Sequence, residues 1–105
     1  MAKKRGRTVR REEARAAGRL LRAKETLAVL EPGGTAGRPI EVESASQIEV
    51  HARSMTCPAC GEPWHVEEHV VEVLDGRTIR VVQARSPQCG RRRRIYFAIV
   101  PALAN

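Results

Sequence analysis

The chain has 105 residues, a formal net charge of +7, three cysteines and only three aromatic residues. This length holds one small domain with an appendage. The odd cysteine count argues against a disulfide framework, and no run approaches the roughly 18 apolar residues of a membrane span. The N-terminal region also lacks the apolar core of a signal peptide. We therefore expect a soluble, cytoplasmic protein with no membrane partner and no evident small-molecule substrate.

The positive charge is concentrated at the N-terminal end. Residues 1–25 contain ten of the 19 Lys and Arg residues but three of the 12 acidic residues, so this segment holds the whole net charge. Such asymmetry predicts an acidic partner, most often nucleic acid. A solubilising tail is the alternative.

Residues 1–7 are rich in Lys and Arg and lack apolar periodicity, so we expect them to be disordered on their own. Arg5-Gly6-Arg7 is similar to the core of an AT-hook, although Thr8 stands where that motif has proline. A basic arm that contacts only phosphates is the interpretation we favour.

The pattern of residues 8–30 predicts one helix that Thr8 caps, with Glu12 and Glu13 near its first turn. Apolar residues recur at helical spacing along one side of it. We call them the apolar stripe: Val9, Ala16, Leu20, Ala23, Leu27 and Leu30. The stripe is expected to pack on the following domain, on a second copy or on another protein. Its alanines make a self-sufficient coiled coil a poor prediction.

Turn residues and alternating patterns divide the rest of the chain. Pro32-Gly33-Gly34 ends the helix and begins a linker. Asp75-Gly76 between Val-rich runs predicts a two-residue hairpin turn. The predicted extended segments are a short piece at 40–43, and strands at 47–55, 64–74, 78–85 and 92–100.

Two five-residue segments suggest a metal site. Residues 57–61 read Cys-Pro-Ala-Cys-Gly, and residues 86–90 read Ser-Pro-Gln-Cys-Gly. Two cysteines separated by two residues and followed by glycine let one tight turn direct two thiolates at one ion. We call the segments the first and second knuckle, and the predicted ligands are Cys57, Cys60 and Cys89.

The two knuckles resemble those of the zinc-ribbon family, and the resemblance covers roughly residues 48–100. It implies a small antiparallel β fold of three to four strands, here with an N-terminal α-helix, and a structural zinc ion. We accordingly divide the chain into a basic arm and helix (1–30), a linker (31–46) and a zinc-ribbon-like β-domain (47–101). Many zinc ribbons serve polymerases and ribosomes, so the resemblance also suggests association with a larger transcription or translation complex.

The fourth ligand has several candidates, because the hydroxyl of Ser86 is a poor zinc ligand at neutral pH. A hairpin without a bulge pairs His65 with Ser86, which would let His65 complete a Cys₃His site. One bulge would turn His65 to the other face. His51 and His69, otherwise expected to be surface strand residues, are minor candidates. A water molecule can also fill the fourth position, and a decayed ribbon that has lost its metal needs no fourth ligand.

Two chemical activities compete with a structural metal. A redox Cys-x-x-Cys pair would need its first cysteine at a helix N-terminus, but the residues after Cys60 do not favour a helix. A catalytic zinc site also has three protein ligands, and His65-Val66-Glu67 is similar to the H-x-E of zinc deaminases. There the motif precedes the cysteine pair, and a ribbon of about fifty residues leaves no room for a substrate pocket. We therefore predict a protein that is not an enzyme.

Basic residues at two places are the predicted nucleic-acid contacts. They are Lys3, Lys4, Arg5, Arg7, Arg10 and Arg11 in the arm, and Arg91, Arg92, Arg93 and Arg94 at the start of the last strand. Tyr96 and Phe97 follow, and basic with aromatic side chains suit phosphate contact and base stacking. The alternative for Arg91 to Arg94 is protection of a sheet edge and pairing with Glu62, Glu67, Glu68 and Glu72. A protein–protein adaptor that docks through the N-terminal helix is the competing function. Trp64 is predicted to lie in the core.

Overall fold

The computed structural model describes residues 5–101, which form two helices and a four-stranded sheet. In chain order the elements are α1 (Arg5–Leu30), β1 (Ile40–Val42), α2 (Ser46–Ser54), β2 (His65–Leu74), β3 (Arg77–Arg85) and β4 (Arg92–Ile99). The predicted small, mostly antiparallel fold with an N-terminal helix is confirmed. Lys3 and Lys4 lie outside the described residues. Within residues 5–101, no helix is both long enough and apolar enough to cross a membrane.

The sheet has the strand order β1-β4-β3-β2 and is built around the β2–β3 hairpin. At its tip, Asp75 and Gly76 have φ angles of 52° and 75°, as a type I′ turn requires. β4 pairs antiparallel with β3 on one side and parallel with β1 on the other, where Ile40 is aligned with Phe97. The predicted hairpin, last strand and short extended piece at 40–43 are therefore all present.

The predicted strand at 47–55 is wrong, because most of this segment forms α2. Ile48 and Ala52 are fully buried one helical turn apart, whereas Val50 between them is 66% exposed. A strand would have placed all three on one face. The alternation of apolar and polar residues in this segment is compatible with a strand and with a helix. Burial of Ile48 and Ala52 favours the helix. The side-chain oxygen of Gln47 also accepts two backbone N–H groups of the preceding turn.

The main core lies between α2 and the sheet. Its buried members are Val42, Ile48, Ala52, Cys57, Trp64, Val82, Ala84, Ile95 and Phe97. Trp64 is 4% exposed, which confirms its predicted place in the core. A smaller cluster contains Ile79, Val81 and Ala98. Because Cys57 belongs to the main core, the first knuckle is anchored to the packed interior.

The segment between α1 and β1 is attached to the sheet and is not the flexible linker that the sequence suggested. Gly33 is buried, its N–H donates to the carbonyl oxygen of Arg38 at 2.6 Å, and its own carbonyl oxygen accepts the N–H of Tyr96 at 2.9 Å. Its φ is 90°, and a Cβ there would lie 2.6 Å from the side chain of Ile40. The predicted linker at 31–46 therefore includes a close contact with β4 and the whole of β1.

Helix α1 begins at Arg5, three residues before the predicted cap at Thr8. Arginine is a good helix former, so the helix continues through residues that were predicted to be disordered. Its 26 residues span about 39 Å at 1.5 Å per residue. The molecule is correspondingly long and narrow, at 72 × 27 × 24 Å.

The side of α1 that approaches the sheet is not the apolar stripe. The half-buried residues of the helix are Gly18, Leu21, Glu25 and Ala28, whose spacing of three, four and three places them on one side. In contrast, Leu20 is 57% exposed and Leu27 is 60% exposed. The stripe therefore does not pack on the domain. Of its three predicted partners, a second copy and another protein remain.

Candidate metal centre and basic surfaces

The first knuckle is a tight turn held by backbone hydrogen bonds at both ends. The Gly61 N–H donates to the Cys57 carbonyl oxygen at 2.8 Å, and the Cys57 N–H donates to the Glu62 carbonyl oxygen at 2.9 Å. Gly61 has a φ of 76°, a conformation that glycine adopts at little cost. The turn follows α2 and precedes β2, and the Trp64 N–H donates to the Met55 carbonyl oxygen at 3.1 Å across its base.

The second knuckle repeats this geometry between β3 and β4. The Gly90 N–H donates to the Ser86 carbonyl oxygen at 2.9 Å, and the Ser86 N–H donates to the Arg91 carbonyl oxygen at 2.8 Å. Gly90 has a φ of 77°. The second knuckle therefore has the same backbone geometry as the first, and Ser86 stands at the position that Cys57 occupies in the first knuckle.

The two knuckles bring the three thiols together. Their sulfur atoms all lie within 4.8 Å of one another, and the Sγ atoms of Cys57 and Cys89 are 3.7 Å apart. Cys57 is 1% exposed, Cys60 is half-buried and Cys89 is exposed. Three thiols at this separation can hold a metal ion, since thiolates are strong ligands for soft and borderline cations. The residues present therefore fit the predicted metal group.

Ser86 lies directly beside the thiols. Its hydroxyl oxygen is 3.0 Å from the Cys60 sulfur and accepts the backbone N–H groups of Gln88 and Cys89 at 3.3 and 3.2 Å. The residue is 0% exposed. By residue type Ser86 is a poor zinc ligand, but its buried hydroxyl oxygen lies beside the three thiols.

The surroundings of Cys57 and Cys89 shift the pKa values of their thiols in opposite directions. Burial raises the pKa of the Cys57 thiol, while the backbone N–H groups of Cys60 and Ala59 act in the opposite direction. The side-chain hydrogen bond with Ser86 is the largest cause that lowers the pKa of Cys89, which falls to about 7. The exposed Cys89 is therefore more readily converted than Cys57 to the thiolate that binds a cation.

The prediction that His65 pairs with Ser86 is wrong. From Leu74–Arg77 to Glu68–Gln83 the hairpin keeps the predicted register, but a bulge between Val66 and Glu68 shifts it by one residue. His65 consequently pairs with Arg85, is exposed, and is not part of the thiol cluster. The bulge is the local event that turns the imidazole away from the site.

The other two histidines are also outside the cluster. His51 lies on α2, where its ring meets Phe97 edge-on at 5.8 Å between centroids. His51 is therefore exposed, as predicted, but it lies on a helix and not on a strand. His69 is a strand residue, but it is half-buried, and its Nε2 is a buried atom with no hydrogen-bond partner among the described residues.

Each of the four consecutive arginines at the start of β4 has a partner within the protein. Arg91 forms an ion pair with Glu25 of α1, and Arg93 donates to the Ala28 carbonyl oxygen at 2.6 Å. The other two reach acidic residues of β2: Arg92 pairs with Glu67 at 3.4 Å and Arg94 with Glu72 at 3.1 Å. The predicted glutamate pairing is confirmed for these two arginines. β1 pairs only with Phe97 to Ile99 of β4, so protection of the sheet edge at Arg92 to Arg94 stays a prediction.

The arginines of α1 have a different environment. Arg7, Arg10 and Arg11 are exposed, and no salt bridge within residues 5–101 involves them. Arg15, Arg19 and Arg22 are likewise exposed. The arginines of α1 are therefore free to meet a partner, whereas Arg91 to Arg94 hold α1 and β2 in place.

A cleft of about 550 Å³ separates α1 from β4 beside the first knuckle. Its walls include Glu25 and Val29 of α1, Trp64, and the arginines at the start of β4. The paired arginines fill much of its rim. No family model, curated protein or solved structure matches the chain, so the cleft and the thiol cluster are interpreted from their own chemistry.

Proposed function

We propose that this protein is a non-enzymatic, zinc-ribbon-like module that binds nucleic acid through helix α1. The observation that carries the proposal is the contrast between its two basic groups. Arg7, Arg10 and Arg11 are exposed and form no ion pair within residues 5–101, whereas Arg91 to Arg94 are all bound internally. Phosphate contact uses cations that are not already ion-paired, and α1 supplies them.

The domain serves as the base from which α1 projects. Glu25 pairs with Arg91, which precedes β4, and the Ala28 carbonyl oxygen accepts a hydrogen bond from Arg93 of β4. The guanidinium of Arg38 donates to the Leu30 carbonyl oxygen at 2.7 Å. These contacts lie at the C-terminal end of α1. The N-terminal turns, which hold Arg7, Arg10 and Arg11, are left in solvent, where a helix of this width can enter the major groove of B-form DNA.

The metal in this proposal is a structural zinc ion held by Cys57, Cys60 and Cys89. It would supply folding free energy by tying the two knuckles, and hence both ends of the β2–β3 hairpin, together. Cys57 and Ser86 are buried, so the site has no open face on that side for a substrate. A structural role suits this arrangement better than catalysis, which requires an accessible coordination position.

The proposal is tested by removing the exposed end of α1 while keeping its docked side. A chain that lacks residues 1–17 loses seven basic and two acidic residues but retains Gly18 to Ala28. We expect its affinity for a 20-base-pair DNA to fall at least about tenfold at low salt, because several phosphate contacts disappear. A single-stranded RNA of 20 nucleotides, measured in parallel, tells which nucleic acid is preferred. Equal affinity of the two chains would contradict the proposal.

A second candidate function is a protein–protein adaptor, and the exposed apolar stripe favours it. Val9 is 45% exposed, and Leu20, Leu27 and Leu30 are 57–60% exposed. An apolar helix contact changes little with salt, whereas phosphate binding weakens steeply. The adaptor predicts that Leu20→Ser with Leu27→Ser abolishes partner association in cells and that Arg10→Gln with Arg11→Gln preserves it.

A further inference from the structure

We propose that the hydroxyl oxygen of Ser86 is the fourth donor atom of the metal site, which makes it a Cys₃Ser site. This inference rests on the metal binding proposed above and concerns a residue of this chain that replaces a thiol. Three observations carry it: the equivalent hydrogen bonding of the two knuckles, the distances among the donor atoms, and the burial of Ser86.

The two knuckles present their first residues in the same way. The N–H groups of Cys57 and Ser86 each donate to the carbonyl oxygen five residues ahead, and their carbonyl oxygens each accept the N–H group four residues ahead. The Ser86 oxygen also accepts the backbone N–H groups of Gln88 and Cys89 within its turn. The same local geometry therefore directs the Cys57 sulfur and the Ser86 oxygen, so the oxygen points where a fourth thiolate would point.

The distances suit four donors around one ion. Zinc–sulfur bonds of about 2.3 Å place two sulfur atoms of a tetrahedral site roughly 3.8 Å apart. The Sγ atoms of Cys57 and Cys89 are already 3.7 Å apart. The corresponding sulfur–oxygen separation is roughly 3.5 Å for a zinc–oxygen bond of about 2.0 Å. The Cys60 sulfur and Ser86 oxygen lie 3.0 Å apart, so an entering ion needs to separate them by only about half an ångström.

Burial limits what else can fill the fourth position. Ser86 is 0% exposed, so bulk water does not reach its side of the cluster. His65 is excluded by the bulge, which pairs it with Arg85. Ser86 is also the buried polar residue of the described core, and a buried hydroxyl is retained at low cost only where it has polar partners.

An oxygen donor changes the properties of the site. Neutral oxygen is a harder and weaker ligand for zinc than thiolate, so the ion should be held less tightly than by four thiolates. The equivalent position in the first knuckle accommodates a buried cysteine, Cys57. The fold should therefore accept Ser86→Cys without strain, and that change should tighten the site.

The test measures zinc and cobalt(II) binding to the purified full chain and to four variants. We expect Ser86→Ala to weaken zinc binding by about tenfold or more, and Ser86→Cys to strengthen it by a similar factor. His65→Ala and Ser46→Ala, which alter an exposed histidine and an exposed serine, should bind as the wild type does. The cobalt(II) spectrum should gain thiolate-to-metal absorption in Ser86→Cys but not in Ser86→Ala, since only the former adds a sulfur ligand.

Each result bears on the inference. Wild-type affinity in Ser86→Ala, or no gain in Ser86→Cys, would overturn it and leave a three-thiolate site. Weaker binding in His65→Ala would overturn it in favour of the imidazole. If Ser86→Ala fails to fold, the absence of a gain in Ser86→Cys would still overturn the inference. A wild-type chain that binds no metal would overturn both this inference and the proposed zinc, whereas nucleic-acid binding by α1 would still be tested by its own variants.

Discussion

The guanidinium of Arg93 in β4 donates a 2.6 Å hydrogen bond to the carbonyl oxygen of Ala28 in the last turns of α1. Carbonyl groups at a helix C-terminus lack intrahelical partners and carry partial negative charge, so a cation there is favourable. Arg91 adds an ion pair with Glu25 one turn earlier. Arg93 of β4 and Arg91 just before it thus hold the end of a helix that otherwise extends into solvent.

Breaking the Arg93–Ala28 contact should loosen α1. We expect Arg93→Gln to reduce the stability of the docked position by about 1 kcal/mol, the typical net value of one hydrogen bond. Amide hydrogen exchange in the last two turns of α1 should then quicken about fivefold, while exchange in β3 stays unchanged. Arg77→Gln, which removes an exposed arginine at the other end of the hairpin, is the matched control. Unchanged exchange in Arg93→Gln would mean that the contact does not hold the helix.

Metal removal should destabilise the β-domain and leave α1 largely helical. A structural zinc ion contributes folding free energy to a small domain, so a strong chelator should lower the temperature at which the sheet unfolds. Cys57→Ala also creates a gap in the core, because Cys57 is 1% exposed. Cys89→Ser separates the two effects, since Cys89 is exposed and contributes little packing.

Thermal unfolding with and without chelator measures this effect. Both cysteine variants should melt at a lower temperature than the wild type and should no longer respond to chelator. A wild-type protein whose melting temperature is the same with and without chelator would show that no metal stabilises the fold.

Cys57 and Cys89 should differ in how fast they are alkylated when metal is absent. The pKa of Cys89 is lowered to about 7 and that of Cys57 is raised above its usual value of 9.0. Alkylation of Cys89 should therefore rise through pH 7 and level off, while that of Cys57 increases only at higher pH. Mass spectrometry of the two peptides after brief treatment with iodoacetamide measures both rates.

The lowered pKa of Cys89 also makes the stability of the folded protein depend on pH. A folded-state pKa below the unfolded value favours the folded protein above the unfolded pKa, and this contribution is lost as the pH falls through about 7. Metal-free protein with an intact Cys89 should therefore become more stable between pH 7 and pH 9, relative to Cys89→Ser. Equal pH profiles of the two proteins would contradict the lowered pKa.

Gly33 should be intolerant of substitution although it lies in the predicted linker. Its φ of 90° disfavours any side chain, and a Cβ would press on Ile40. We expect Gly33→Ala to cost about 1–2 kcal/mol, the usual penalty of a left-handed conformation. Gly37→Ala is the control, because nothing lies within 4 Å of its added Cβ. Chemical denaturation of both variants checks the difference.

Local rules predicted the hairpin and the knuckles because each depends on residues close in sequence. Asp75-Gly76 specifies its turn through its own backbone preferences, and the knuckles depend on glycines at fixed spacing. No residue pattern near Val66 predicts the bulge there. The predicted pairing of His65 was therefore wrong by one residue. The alternation of Ile48, Val50 and Ala52 fits a strand and a helix equally well, and only tertiary packing separates the two.

Long-range pairing explains the remaining differences. The four arginines at the start of β4 resemble a nucleic-acid surface in the sequence, but their carboxylate and carbonyl partners come from α1 and β2, as far as 66 residues away. Charge patterns along a chain do not show which charges neutralise one another in the fold. The place of Ser86 could have been foreseen, since Ser-Pro-Gln-Cys-Gly keeps every other feature of the first knuckle.

The salt dependence of DNA binding tests the central claim most directly. Fluorescence anisotropy with a 20-base-pair DNA between 50 and 200 mM salt gives the slope of log affinity against log salt, which counts phosphate contacts at about 0.9 each. We predict that Arg10→Gln with Arg11→Gln lowers the magnitude of this slope by about 2 and weakens binding, because two contacts are lost. Arg77→Gln with Arg85→Gln, which removes the same charge from exposed positions of the sheet, should leave the slope unchanged. Equal slopes for the two double variants would contradict a nucleic-acid site on α1.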